Sequence, residues 1–504
     1  MALSSGDRHL RTDSRVRLGA LRPSPRRVVV ATDAAGSRTF AAQAVLALAV
    51  DLVARMFGVV EAVSIDVPSA PVIPGAFPRP GASGTGLDER LLDVARRVSG
   101  GEIEVVADRA AAGDILVWSG HGPAPRHEGL VVRAHGDGFA AFCSTERAAP
   151  AVAPRRLEAL GPHLAACLAA DRVFRHLRSL DVTGTFEVDL STLGAPAWSS
   201  AERSQDLVVP PAYLVGLGAV GGAYLYTAAA SRNLNAALVG IDPDIVDPTS
   251  RNRLLTAEHA DVGARKADLG ARLAAGSGVA FHPNRAYLAE YLVEAGRSLP
   301  AALLATESLF RYEYVLSCVD RNTSRRDIAA LQPRHVVSGS TDGLRAESTY
   351  YSHAGACECL ACNHPVLEAD MRDMADELAS LGAPERAERL RLAGASPEAA
   401  AAIEDFLEHR RCGSVGETEL RRLGAAIDGP EWSVGFVSAA AGVLLAARHI
   451  TLVRSGPPAA AEFRLYFTGA GSVSSSTAQR KPTCDVCGPA DAQARFARRW
   501  GGSG

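Results

Sequence analysis

Short apolar runs, often β-branched, alternate along this chain with longer Ala- and Leu-rich stretches. That rhythm predicts strands covered by helices. Arg27-Val-Val-Val-Ala31 is the first predicted strand. A helix is predicted from Ala34-Ala-Gly-Ser37 to about Met56, and a second strand from Val59 to Ile65. Pro68 to Gly86 is rich in Pro, Gly and Ser and predicts a loop. Short apolar runs follow at Glu104–Val106, Ile115–Trp118 and Leu130–Arg133, and Arg155–Leu177 has the pattern of an amphipathic helix. Residues 178–211 read as a connection ending in Pro210-Pro211. A second series opens at the strand-like run Ala212-Tyr-Leu-Val215. It continues through Ala236–Ile241, the alternation over Leu273–Ala301, and the strand Tyr314–Val319. Residues 366–411 predict two or three surface helices. Val434–Ile450 predicts an apolar helix, too short and too rich in small residues for a membrane span.

Length and charge narrow the picture. A chain of 504 residues has room for two to four domains. A formal net charge of −3 argues against a nucleic-acid partner, and charged residues interrupt every apolar stretch that approaches membrane length. The first 27 residues are Arg-rich and lack an apolar core, which predicts a flexible arm rather than a secretory signal. Of nine cysteines, Cys143, Cys167 and Cys318 sit among apolar neighbours and read as core. With no sign of export, the others point to metal or catalysis in a reducing cytoplasm.

The chemistry concentrates after Ala212. Gly216-Leu-Gly218-Ala-Val-Gly221 follows a predicted strand and opens a predicted helix, the arrangement that cradles phosphate on backbone N–H groups. A tight strand–helix turn would also use it. Asp242-Pro-Asp244 ends the next strand, where a carboxylate suits a ribose hydroxyl. Arg253 and Lys266 follow. Singly each reads as a solvated charge; together, in this frame, they are cations for triphosphate oxygens. Asp320 ends another buried strand and is placed to hold Mg²⁺ or to cap the next helix. Cys359-x-x-Cys362 and Cys484-x-x-Cys487 supply four thiolates suited to tetrahedral Zn²⁺, with Cys357 a bystander. Their wide separation means that the metal would clasp two distant segments of one domain. Cys412, beside Arg410 and Arg411, reads as an activated nucleophile or an incidental surface thiol.

This ordered set resembles the ThiF/MoeB-type adenylating superfamily, which includes the ubiquitin-activating enzymes. The resemblance spans roughly residues 205–490 and rests on Gly216, Gly218 and Gly221, Asp242 with Asp244, Arg253, Lys266, Asp320 with Arg325, and the paired CxxC knuckles. Thr249-Ser-Arg-Asn-Arg-Leu254 stands for the usual Ser-Asn-Leu-Asn-Arg-Gln, and Arg321 for a frequent Asn. The resemblance implies that Asp242 binds the ribose of ATP, that Arg253 and Lys266 bind its phosphates, that Asp320 holds Mg²⁺, that Gly216, Gly218, Gly221, Asp244 and Arg325 complete the ATP site, and that Zn²⁺ is structural. It implies adenylation of a carboxylate. In thioester-forming members, a Cys between the zinc pairs, here Cys412, then attacks the adenylate.

The weak βαβ echo at 28–66 carries Thr32-Asp-Ala-Ala-Gly36 in place of a phosphate loop. By the same resemblance, residues 28–178 form an inactive adenylation-like half. They are joined by a linker at 179–211 to an active domain at 212–490, with a helical insertion at 366–433 and a tail at 491–504. The expected fold class is therefore α/β: a Rossmann-like adenylation domain with a zinc-clasped pair of CxxC knuckles, fused to a degenerate copy. Arg11, Arg15 and Arg38 are candidates for an arginine supplied across this internal pseudodimer. The layout resembles activating enzymes of bacterial ubiquitin-like conjugation, especially Bil-type antiphage operons. Its implied partners are a β-grasp modifier and a conjugating-enzyme-like protein. Adenylation of a sulfur-carrier protein or ribosomal peptide, an NAD-dependent oxidoreductase and a nucleotide-binding scaffold are the competing readings.

Overall fold

The computed structural model describes residues 21–23, 26–80, 86–150, 155–198, 204–297, 313–354, 356–362, 364, 371–392, 397–409, 434–467 and 469–501. Two mixed sheets organise them. The first contains β1 (Arg27–Ala31), β2 (Ala62–Asp66), β3 (Glu104–Val106), β4 (Ile115–Trp118), β5 (Val131–Asp137), β6 (Ala140–Ser144) and β7 (Thr185–Asp189). Its spatial order is β3-β2-β1-β4-β5-β6-β7, parallel through β5 and antiparallel beyond. The second contains β8 (Leu207–Val208), β9 (Ala212–Val215), β10 (Leu234–Ile241), β11 (Val279–Asn284), β12 (Tyr314–Ser317), β13 (His335–Asp342), β14 (Arg345–Tyr351), β15 (Glu462–Tyr466) and β16 (Ser472–Ser476). Its order is β11-β10-β9-β12-β13-β14-β15-β16, again parallel first and antiparallel after β13, with β8 beside β10. The two halves thus repeat one strand order, a similarity the sequence displayed only at its first βαβ unit.

One shared core joins them. The helix Gly435–Ser455 packs on the helix Ala219–Ala230 of its own half and on Leu160–Leu177 of the other. Phe174 and Phe436 lie 5.6 Å apart by ring centroid, and Gly442 lets the Ala223–Tyr224 backbone approach. Such interdigitation removes apolar surface from water on both sides at once.

The structure corrects several boundaries. The first helix runs from Phe40 to Val53, not from Ala34, because Thr39 caps it and a 3₁₀ turn occupies Gly36–Arg38. The helix expected from Arg155 as amphipathic begins at Leu160 and is buried on nearly every face. Its polar positions are tolerated because they meet the opposite half: Arg172 and Arg175 donate to the carbonyls of Gly469 (2.9 Å) and Phe467 (3.1 Å), and His163 pairs with Thr227 (3.0 Å). The stretch 179–211 supplies strands to both sheets. The helix expected to end at Ile450 reaches Ser455, and at 21 residues it is long and apolar enough to cross a membrane, contrary to expectation. Here 89% of its apolar window is buried inside the protein. The predicted surface helices are Met371–Ser380, Ala383–Leu392 and Pro397–His409, with a small core of their own around Leu378, Ile403 and Phe406.

Candidate active site

The glycine loop leaves the carboxyl end of β9, at the centre of its sheet. Gly216 has φ +90, and a side chain there would press on the Cys318 carbonyl 2.7 Å away. Only glycine suits both demands. Gly221 packs its bare Cα against the Gly216 carbonyl, closing helix onto strand, whereas Gly218 faces open space. Gly218 is also the N-cap of the helix Ala219–Ala230, with no side chain satisfying the helix's first N–H groups. That leaves an anion-seeking terminus at the mouth of the loop.

Asp242 follows β10 and is buried. One of its carboxylate oxygens accepts the Leu217 N–H at 2.6 Å, the other the Asp244 N–H at 2.8 Å. Burial lifts its pKa, and the Lys266 ammonium opposes that rise. Lys266 starts the helix Lys266–Ala274; its Nζ pairs with the exposed Asp244 carboxylate at 2.7 Å. Arg253 is half-buried and donates Nη1 to the Thr249 carbonyl and to Asn252 Oδ1, both at 3.0 Å. The loop, the acid and both cations are therefore carried on the carboxyl ends of β9 and β10 and the segments that follow them.

Asp320 lies exposed just past the end of β12, the strand beside β9. It is not the helix cap: the N-cap of Asn322–Ala330 is Arg321, which makes no side-chain capping bond. An exposed carboxylate at a strand's carboxyl end fits a Mg²⁺ ligand. Arg325 is committed to holding this turn. Its Nε donates to the Val319 carbonyl (3.1 Å), and its Nη1 to Asn322 Oδ1 (3.0 Å) and His364 Nδ1 (3.2 Å). Burial, then the Arg325 and Lys481 charges, hold the His364 pKa down at about 3. The neutral ring therefore accepts from Arg325 at Nδ1 and turns its other nitrogen to the Tyr351 hydroxyl, 3.4 Å away. Sequence reasoning missed His364; its place two residues after the first knuckle was the available signal.

The four expected cysteines converge. Cys359 Sγ lies 3.8 Å from both Cys362 Sγ and Cys484 Sγ, and Cys362 Sγ lies 3.4 Å from Cys487 Sγ. All four sulfurs fall within 4.8 Å of one another. Zinc–sulfur bonds of about 2.3 Å in a tetrahedron set sulfurs about 3.8 Å apart, so the cluster fits Zn²⁺. Cys357 pairs by backbone with Gln479 outside the cluster. Arg326 forms a forked ion pair with Asp485, tying the helix after Asp320 to the second knuckle.

Among its described residues, the first half carries none of this equipment at the matching positions. Strand register places Thr32 where Gly216 stands, Val67 where Asp242 stands and His121 where Asp320 stands. Its loop holds an anion of its own: the Asp33 carboxylate accepts the N–H groups of Gly36 and Gly122, each at 2.6 Å. Burial raises the Asp33 pKa, but these N–H groups outweigh it and hold the carboxyl below its usual range. Arg38 lies exposed in the 3₁₀ turn of this loop. Cys412, Arg11 and Arg15 lie outside the described residues.

The ThiF family model matches residues 196–486. No curated protein sequence matches the chain. Solved structures to which the chain is similar include E. coli MccB with MccA-N7isoASN, at 15% identity and a TM-score of 0.36 over 55% of this chain and 67% of that one. They also include E. coli MccB with AMPCPP and MccA, at 14% identity and 0.34 over 55% and 66%. With the family match covering more than half of the chain, and the loop, acids and cations gathered beside one sheet, this chain belongs to the ThiF family of adenylating enzymes.

Proposed function

We propose that the chain activates the C-terminal carboxylate of a ubiquitin-like β-grasp protein, carries it as a thioester on Cys412 and passes it to a conjugating-enzyme-like partner. The observation that carries this reading is the pairing of one equipped half with one unequipped half of the same strand order, the division of labour found in ubiquitin-activating enzymes. On this reading the first half is a degenerate adenylation domain, and the protein works in the cytoplasm.

The residues assign the steps. The loop at Gly216–Gly221 receives phosphate on its N–H groups, and Asp242 meets the ribose while fixing the loop. Arg253 and Lys266 lie against the phosphates. Mg²⁺ held by Asp320 would neutralise charge on the departing pyrophosphate. A carboxylate oxygen of the modifier attacks the α-phosphorus, the bond from that phosphorus to the bridging oxygen breaks, and pyrophosphate leaves. The Cys412 thiolate then attacks the acyl carbon, and AMP departs with the electron pair of the broken acyl–oxygen bond. Fixed cations beside the phosphates favour the first step because the leaving charge needs little reorganisation around it.

The test is incubation with ATP, Mg²⁺ and β-grasp proteins ending in glycine. Partner-dependent pyrophosphate exchange, with a thiol-reducible band shift lost in Cys412→Ala, is the expected result. Exchange without the shift would replace the thioester with simple adenylation, as for a sulfur carrier or peptide. No exchange with any carboxylate partner would overturn the proposal.

A further inference from the structure

The segment between Ser250 and Asp261 carries Arg253 but forms only turns and a short 3₁₀ helix, so its carbonyls find few partners within the segment. The other half supplies them. Arg55, 1% exposed, donates Nη1 to the Arg251 carbonyl at 2.5 Å and Nη2 to the Ala257 carbonyl at 2.6 Å. Arg79, 4% exposed, reaches the Leu255 carbonyl and pairs with Glu258 at 3.2 Å. Asp51, between the two guanidiniums, pairs with Arg55 at 2.6 Å and with Arg79 at 3.0 Å. Arg251 reaches back to Glu102 (2.5 Å) and lies over the Phe57 ring. Gly435 also rests on the Asn252 carbonyl, where a side chain would not fit.

We propose that Arg55 and Arg79 are positioning residues for Arg253, so that the first half sets phosphate affinity through a buried clamp on the Arg253 segment. This rests on the phosphate role of Arg253 proposed above. Carbonyls at 251, 255 and 257 bracket Arg253, and the forked guanidinium of Arg55 grips two of them at once. Burying two arginines beside one shared aspartate is a poor way to gain stability, because desolvation consumes most of the attraction. It is an effective way to fix one conformation of an irregular segment.

The test uses the full chain and Arg55→Lys. Lysine keeps the charge beside Asp51 but offers its donors from a single point, so it loses the fork. Calorimetric titration with ATP·Mg²⁺ is expected to show affinity weakened about tenfold, the order of one weakened hydrogen bond to a charged group. Binding of adenosine, which has no phosphate for Arg253 to meet, should be unchanged. Arg253→Ala should weaken ATP binding, and adding Arg55→Lys to it should weaken it no further, since the clamp acts through Arg253. Equal losses for ATP and adenosine, or a loss that persists without Arg253, would make the clamp merely structural and overturn the proposal. So would an unchanged ATP affinity in Arg55→Lys alongside a weakened Arg253→Ala. If Arg253→Ala itself binds ATP normally, the phosphate role of Arg253 fails first and the clamp with it. Should Arg55→Lys not fold, Arg79→Lys carries the same test.

Discussion

The Asp242 carboxylate accepts the backbone N–H of Leu217 at 2.6 Å, so the acid assigned to the ribose is also the brace of the glycine loop. Leu217 is fully buried, and its N–H would lose this acceptor if the carboxylate were removed. Asp242→Ala should therefore cost about 1–3 kcal/mol of stability, the penalty for orphaning a buried donor. It should also abolish ATP binding. Urea unfolding and calorimetry measure the two effects, and a variant that still binds ATP would refute the assignment.

The sulfur geometry predicts one zinc per chain. Cys484→Ser should lower the zinc content found by elemental analysis and lower the melting temperature together, because the ligands join segments far apart in the chain and metal binding is thus linked to folding. Cys357→Ser should leave the zinc content unchanged, since that residue lies outside the cluster.

Asp33 predicts the stoichiometry of ATP. Its carboxylate already occupies the Gly36 and Gly122 N–H groups in the first half, where a phosphate would need them. Calorimetric titration should give one ATP per chain, and Arg253→Ala should weaken that one site. A second site that survives in Arg253→Ala would show that the first half binds nucleotide.

Buried histidines predict acid lability. His449 lies among Tyr224, Tyr314 and His335, with Nδ1 2.9 Å from the Tyr224 hydroxyl; burial first, then His335, hold its pKa at about 4. Between pH 6.5 and 4 the unfolded chain binds a proton there that the folded chain refuses. Stability is therefore lost as pH falls through that window, by at most about 3 kcal/mol for this residue. His449→Gln should flatten the dependence of melting temperature on pH in that interval. An unchanged slope would place the linkage elsewhere.

Much of the second half was legible because its signals are local. The loop Gly216–Gly221 lies between a strand and a helix as its spacing predicted, and the cysteines of the two CxxC knuckles come together. Boundaries failed where distant partners decide them. Arg155–Leu177 looked amphipathic because its arginines suggest a wet face, yet Arg172 and Arg175 are buried against carbonyls of the other half. Arg325 was expected in the ATP site; the structure adds that its side chain meets Val319, Asn322 and His364, contacts that spacing along the chain cannot reveal.

By itself the sequence determined the alternating α/β pattern, the glycine loop with its acids and cations, and the paired cysteines that fit a metal. Backbone conformation and metal chemistry depend on residue types at short range, and these write themselves into periodicity and spacing. Only the tertiary structure decided that two sheets share one strand order, that Asp33 fills the loop of the first half, and that Arg55 and Arg79 hold the segment bearing Arg253. Those facts depend on which buried donor meets which distant carbonyl, and chain order leaves that open until the core has packed.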